Sequence, residues 1–241
     1  MSGDDERSAG GSRIYRHQAR DRGWQAPAET SHRAEAVEAH VQEHIGGVET
    51  VWHEIVSDLV HIDVHVVPPT PDRDAYTLFT TGMSDLPMNV PEPDLQYAEL
   101  LISLPPQWDL SEEGFKSEVN YWPVRLLKFL ARMPHEFDTW LGPDHTVPNG
   151  DPAVELVPGL GFNGSILFPS VTLGEGFAQV EVGEERVTML AIYPLYEEEM
   201  SFKLARGAAK LFDRLEAAGV TDVVDVGRPN VGKRKKWFGL F

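Results

Sequence analysis

The arrangement of short β-branched segments along the chain constrains the fold more than any other feature of the sequence. The segments YTLFTTGMSD, YAELLISLPP, AQVEV and RVTMLAIYPL have β-branched or aromatic residues inside and turn-forming residues near their ends, which is typical of strands. Helical periods separate only some of them, so strands and helices do not alternate strictly. The sequence therefore predicts an α+β fold in which a mixed, largely antiparallel sheet packs against helices in a single domain.

Three segments have the apolar period of an amphipathic helix. The first covers residues 34–47 and ends in a glycine pair, a common helix stop. The second runs through VRLLKFLARM, and Pro134 is its expected end. The third is predicted as one helix over residues 201–219, with three glutamates at 197–199 in solvent beside its start, where acidic side chains complement the helix dipole.

The segment HIDVHVVPPT places His61, Asp63 and His65 at alternate positions, with apolar residues between them. Alternate side chains of a β-strand point to the same side, so the three polar residues are predicted to share one face. Ser57 and Asp58 separate this segment from the preceding β-branched run and predict a hairpin turn between two strands.

Two interpretations of this polar face remain open. Side chains two residues apart on a strand have roots about 6.6 Å apart, close enough to bind one metal ion. A metal site would use His61 and His65, with Asp63, His53 or Glu54 as a further ligand. In the other interpretation the face is a structural or recognition surface. The first would suit a metal-dependent enzyme, the second a binding protein.

Other motifs do not indicate catalysis. GLGFNG at 159–164 has the glycine spacing of a dinucleotide loop, but a strand-like segment follows it where such a loop needs a helix. Ser84 lacks the Gly-x-Ser-x-Gly surroundings of a hydrolase nucleophile and is interpreted as part of a turn. The segment HEIVS at 53–57 lacks the second histidine of a zinc-protease helix. We therefore predict no cofactor.

The charge is distributed unevenly over the chain. Residues 1–33 are nearly balanced in charge and rich in Gly, Ser, Arg and Asp, which predicts a disordered leader. Residues 34–232, the predicted domain, carry 11 basic and 33 acidic residues, a net charge of −22. Residues 233–241 form a basic and aromatic tail, KRKKWFGLF. The acidic domain disfavours binding to nucleic acid and favours a basic protein partner.

The chain of 241 residues contains no cysteine, so disulfides, thiolate metal sites and cysteine nucleophiles are excluded. No apolar segment approaches the roughly 18 residues that a membrane-spanning helix requires. The N-terminus lacks the apolar region of a secretory signal. We expect a protein without a membrane span, located in the cytoplasm.

Several segments in order resemble the suppressor of fused-like domain family over about residues 34–241. They are HIGGVETVWHEIVSDLVHIDVHVVPPT, YTLFTTGMSDLPM, YAELLISLP, HTVPNGDP and a basic C-terminus ending in FGLF. The resemblance implies a non-enzymatic protein-binding domain. The animal member binds a peptide of a zinc-finger transcription factor as an added strand, and bacterial single-domain members are proposed as immunity proteins against toxins.

This chain is shorter than the animal member and lacks its second peptide-gripping domain, so a transcription-factor role is not expected. The family's peptide-binding residues lie largely outside the segments that match, so none is carried over from the resemblance. We expect binding through an exposed sheet edge by β-augmentation, and we interpret the polar face of HIDVHVV as a structural or recognition surface. The predicted binding residues are His61, Asp63, His65, Thr81, Met83, Ser84 and Asp85.

Overall fold

A mixed sheet lies at the centre of the molecule in this computed structural model, which describes residues 6–18 and 21–233. Its strands are β1 (Thr50–Trp52), β2 (Asp63–Val67), β3 (Tyr76–Thr81), β4 (Tyr97–Leu104), β5 (Thr146–Pro148), β6 (Phe162–Phe168), β7 (Gln179–Val182) and β8 (Glu185–Tyr196). The order is β1-β2-β3-β4-β8-β6-β5, and β7 also pairs with β8. Only the β4–β8 pair is parallel among these pairings, which confirms the predicted mixed, largely antiparallel sheet.

Helices cover both faces of the sheet. They are α1 (His32–His44), α2 (Glu118–Phe137), α3 (Glu197–Arg206) and α4 (Ala208–Ala217). Trp122 and Leu127 of α2 belong to one apolar cluster with Leu100 and Ile102 of β4. Residues of α1 and α4 belong to a second cluster, which contains Leu101 of β4. The central strand is therefore apolar on both sides because each side meets a helix, and the α+β prediction is confirmed.

The second helix is longer than the sequence predicts. It begins at Glu118, five residues before Pro123, and continues past Pro134 to Phe137. Pro134 removes only its own N–H from the helical hydrogen bonds, and its side chain is buried in the protein. The helix ends instead at Asp138, whose φ of 54° is left-handed.

The predicted single helix over residues 201–219 is wrong, since the structure has two helices there. Gly207 separates α3 from α4 with φ 91° and ψ 161°, a conformation that glycine adopts readily. A residue of the leader approaches this break, where the Gly10 N–H donates to the Leu204 carbonyl at 2.7 Å. A side chain at Gly10 would collide with the backbone of Arg206 and Gly207.

The glutamates at 197–199 do not all face solvent, contrary to the prediction. Glu199 is fully buried and accepts two hydrogen bonds from the Arg228 guanidinium, at 2.7 and 2.6 Å. The backbone N–H groups of Tyr196 and Val231 also donate to this carboxylate. Arg228 in turn donates to the Pro194 carbonyl. This buried ion pair joins the start of α3 to the C-terminal segment.

The connection between β1 and β2 is a loop of residues 53–62, and the predicted two-residue turn at Ser57-Asp58 is wrong. Leu59 adopts a left-handed φ of 67°, and its backbone exchanges hydrogen bonds with Gln25 and Ala28 of the leader. Arg22 forms an ion pair with Asp58 at 3.0 Å. The described leader residues thus make contacts that their composition does not indicate.

The remaining segments follow the predictions in part. Within residues 142–165 the structure has β5 and the start of β6. In GLGFNG, residues 159–161 form a turn with Gly159 and Gly161 at positive φ, and residues 162–164 are the start of β6. The segment DVVDV at 222–226 makes a single bridge from Val223 to Ser103 and is not a regular edge strand. Most of the predicted basic tail, residues 234–241, lies outside the described residues.

Replacing Arg228 with Met tests the buried ion pair. The variant leaves the Glu199 carboxylate buried without its cation, so we expect the free energy of unfolding to fall by about 3–5 kcal/mol. Urea denaturation followed by circular dichroism measures the change. Arg186→Met is the control, because the pair of Arg186 with Glu181 is exposed and its loss costs about 1 kcal/mol or less. Equal effects of the two variants would contradict the prediction.

Candidate functional site

Two histidines and one aspartate meet where the β1–β2 loop joins the sheet. The Nδ1 atom of His53 lies 2.8 Å from Oδ2 of Asp63, and Nε2 of His61 lies 3.0 Å from its Oδ1. Asp63 is the first residue of β2, while His53 follows β1 directly. The antiparallel pairing of Trp52 with Val64 brings these two chain positions side by side.

Hydrogen bonds with Ser57 and with the Glu54 backbone fix the positions of His61 and Asp63 in this cluster. Ser57 donates to the Glu54 carboxylate at 2.8 Å, and its hydroxyl also lies 2.7 Å from Nδ1 of His61. The Glu54 N–H donates to Oδ1 of Asp63. Arg132 of α2 forms an ion pair with Glu54. Burial raises the Glu54 pKa, but the Arg132 charge and the hydrogen bonds from Arg132, Ser57 and the Ile62 N–H outweigh it, so the pKa is lowered. The loop is thereby fastened to α2.

His65 does not join His61, although the sequence predicts both on one face. Strand β2 begins at Asp63, so His61 precedes the strand and its direction is set by the loop. The His65 ring is buried, stacks on Phe79 with centroids 4.8 Å apart, and hydrogen-bonds Thr81 Oγ1 at 2.8 Å. Burial lowers the His65 pKa to about 4, so the ring is neutral at pH 7. A metal site built on His61 and His65 does not fit this arrangement.

The TGMSD turn packs tightly against the same loop. Gly82 has φ 101°, and a Cβ there would collide with the His61 carbonyl oxygen. Glycine is needed at this position for both reasons. Thr81, Met83 and Ser84, three of the predicted binding residues, are buried, so their side chains pack inside the domain.

A buried carboxyl group fixes this turn. Glu99 of β4 is fully buried and accepts hydrogen bonds from Thr80 Oγ1 at 2.6 Å, from the Ser84 N–H at 2.9 Å and from Ser84 Oγ at 2.7 Å. Desolvation raises the Glu99 pKa to about 7. Asp85, which is partly exposed, accepts from the Ser31 N–H at 2.8 Å and so connects the turn to the start of α1.

The part of this region most open to solvent is apolar and was not predicted from the sequence. Ile55 is 98% exposed and Val56 is 79% exposed, both in the β1–β2 loop. Trp24 of the leader is 67% exposed, and its indole N–H donates to the Ser57 carbonyl. We call Trp24, Ile55 and Val56 the apolar tip. In the sequence, Ile55 and Val56 look like strand residues, and only the loop conformation exposes them.

The structure is an α+β domain in which polar groups support a solvent-facing apolar loop. The family model for suppressor of fused protein (SUFU) matches residues 58–229, and the chain therefore belongs to the SUFU family, a family of protein-interaction domains. A search of curated protein sequences found no match.

Two solved structures share the fold. A putative SUFU homologue from Neisseria gonorrhoeae FA 1090 has a TM-score of 0.60 and 14% identity, covering 82% of this chain and 96% of that chain. The crystal structure of the Sufu–Fu complex has a TM-score of 0.58 and 13% identity, covering 86% of this chain and 93% of that chain. The described part of the present chain has no helix both long and apolar enough to span a membrane.

Replacing Glu99 with Gln tests the buried carboxyl. Because the Glu99 pKa is raised to about 7, the folded state holds its proton between about pH 4.5 and 7 while the unfolded state loses it. The wild-type protein should lose stability across this window as pH rises, relative to the variant, by up to about 1.4 kcal/mol per pH unit. Urea denaturation at several pH values measures the difference.

The amide suits this comparison because it resembles the neutral acid. Thr80 Oγ1 lies 3.4 Å from the Leu100 carbonyl oxygen, so the Thr80 hydroxyl can donate its hydrogen to that carbonyl. Its oxygen can then accept a hydrogen bond from the side-chain amide that Glu99→Gln introduces. Glu216→Gln, at an exposed position of α4, is the control. Stability curves of the Glu99 variant and the wild type that run parallel from pH 4.5 to 7 would refute the raised pKa.

Proposed function

We propose that this chain is a non-enzymatic binding protein whose partner docks on the edge strand β1 and the apolar tip. The observation that carries the proposal is the exposure of Ile55 and Val56, two adjacent aliphatic side chains in the loop that leaves β1. Covering these side chains with a partner would remove apolar surface from water, which is favourable, and adjacent exposed apolar side chains are typical of interaction sites. Membership of the SUFU family and the Sufu–Fu complex among the similar structures support a protein as that partner.

The edge of the sheet supplies the second part of this surface. Strands β1 and β5 end the strand order. β5 ends in Pro148, and proline cannot donate a hydrogen bond to an added strand. β1 contains no proline. An extended peptide added to β1 would place its end beside the apolar tip, so backbone hydrogen bonds and side-chain contacts would act together.

The charge of the domain indicates the chemistry of the partner. Residues 34–232 carry a net charge of −22, and several of their few basic side chains are already paired, among them Arg132 with Glu54 and Arg228 with Glu199. A basic protein would therefore be attracted from a distance. A cytoplasmic regulatory protein or an immunity protein that neutralises a basic toxin fits this pattern.

Changing the tip to acidic residues tests the docking surface. A pull-down from host lysate at low salt, with bound proteins identified by mass, supplies a partner that is then purified. In titration calorimetry with that partner, Ile55→Asp with Val56→Asp should weaken affinity by about tenfold or more, because central apolar contacts contribute more than about 1 kcal/mol each.

Val154→Asp is the matched control for the tip. Val154 is a similarly exposed valine, 58% accessible, near β5, so the substitution adds a charge without touching β1. Unchanged affinity in the tip variant, or a loss confined to Val154→Asp, would move the partner away from the proposed surface.

Salt tests the role of charge separately. The Debye length falls from about 30 Å at 0.01 M salt to about 8 Å at 0.15 M, so steering between opposite charges weakens. The association rate with the purified partner, measured by stopped flow, should fall about tenfold over this range. An association rate that does not change with salt would show that the partner is not recruited by the acidic domain.

A further inference from the structure

The cluster of His53, His61 and Asp63 has the composition and spacing of a metal site. Its candidate ligand atoms all lie within 4.8 Å of one another. Zinc binds histidine nitrogen at about 2.0 Å, so adjacent ligand atoms of a tetrahedral site are about 3.3 Å apart. The two nitrogen–oxygen distances here, 2.8 and 3.0 Å, reach that spacing with small side-chain rotations.

The hydrogen bonds behind His61 decide where its ring proton lies. Ser57 has one hydroxyl hydrogen and donates it to Glu54, which is ion-paired with Arg132. The Ser57 oxygen can then only accept from His61, so Nδ1 of His61 carries a hydrogen. In a neutral ring, Nε2 is then left with a lone pair directed at the Asp63 carboxylate, 3.0 Å away.

Two lone pairs facing each other repel. The repulsion is removed either by a proton on Nε2, which makes His61 a cation paired with Asp63, or by a metal ion. A metal ion at this point would accept both lone pairs. A histidine that binds metal through one ring nitrogen usually donates a hydrogen bond from the other nitrogen to a neighbouring oxygen. The hydrogen bond from Nδ1 of His61 to Ser57 has this form. The Glu54 N–H holds the Asp63 carboxylate in a corresponding way.

We propose that Nδ1 of His53, Nε2 of His61 and the carboxylate of Asp63 bind one divalent transition-metal ion. Two imidazoles and a carboxylate suit zinc and its neighbours in the first transition row better than magnesium or calcium. The His53 side chain is 70% exposed, so water completes the coordination. The site differs from the His61–His65 pair because His65 is buried and faces Thr81.

The metal would close the loop that carries part of the apolar tip. His53 lies just after β1, whereas His61 and Asp63 lie at the start of β2, so one ion would join the two ends of residues 53–62. A loop that the metal has already ordered loses less conformational entropy when it binds a partner, so binding costs less free energy. This consequence for recognition rests on the proposed function, whereas metal binding itself does not.

Titration of the full chain with zinc, after purification without a histidine tag and treatment with a chelator, tests the site. Isothermal calorimetry should give one zinc per chain. His53→Gln should weaken the affinity by about tenfold or more, since it removes a ligand. Because His53 is exposed, this variant should keep the wild-type circular dichroism and unfolding midpoint. With cobalt as the probe, the wild type should show the visible absorption of bound cobalt, and the variant should need a higher cobalt concentration to reach it.

A second histidine pair provides the control. His40 and His44 stand one turn apart on α1, with ring centroids 4.1 Å apart, a spacing that could also bind zinc. His44→Ala should leave the calorimetric titration unchanged. Zinc binding that is lost in His44→Ala and kept in His53→Gln would overturn the proposal, as would no binding at all. Since these titrations contain no protein partner, their result is independent of the docking surface.

Discussion

The buried carboxyl group of Glu99 fixes a turn that contacts helices on both faces of the sheet. It holds the turn after β3 through the backbone and hydroxyl of Ser84. The fixed turn then offers backbone carbonyls to both helical layers. The Ser84 carbonyl accepts from Arg33 of α1, and the Met83 carbonyl accepts from the His135 ring of α2 at 2.8 Å. One acid inside the sheet therefore supports a turn that is hydrogen-bonded to helices on opposite faces.

The same turn also determines where the β1–β2 loop can lie. Gly82 touches the His61 carbonyl so closely that no side chain would fit, and Glu54 in the loop is tied to Arg132 of α2. The base of the loop is thus held by neighbours, while Ile55 and Val56 at its far side remain in solvent. A loop with an ordered base loses less entropy on binding than a fully flexible one, which suits the recognition role proposed for it.

The sequence predicted what depends on local pattern. The alternation in HIDVHVV placed Asp63 and His65 on one strand, which the structure confirms, and the breaks at Gly82 and after β4 were also predicted. It could not show that the strand begins at Asp63, which leaves His61 in the loop. It also could not show that His53 would stand opposite Asp63, because that depends on the register of β1 against β2.

The errors at the C-terminal end have a related cause. A run of glutamates beside a helix start normally faces solvent, and nothing in the local sequence indicates that Glu199 meets Arg228, 29 residues away. Likewise Gly207 in a helical period is tolerated in many helices at a cost of about 1 kcal/mol. Here the close approach of Gly10 from the leader accompanies the break. The burial of Glu199 and the helix break at Gly207 both depend on contacts between residues far apart in the sequence, which the periodicity of a local segment cannot indicate.

The distribution of charge separates the rate of recognition from its specificity. Arg73, Arg132 and Arg228 face Asp222, Glu54 and Glu199, so these arginines are used within the fold. The acidic excess of the domain, a net of −22 over residues 34–232, must therefore lie mostly on carboxylates that no arginine neutralises. Such a field acts over about a Debye length and has no fine direction. In the proposed function it would speed encounter with a basic partner but would not select one basic protein over another. In the same proposal that choice would fall to short-range contacts at the apolar tip beside β1.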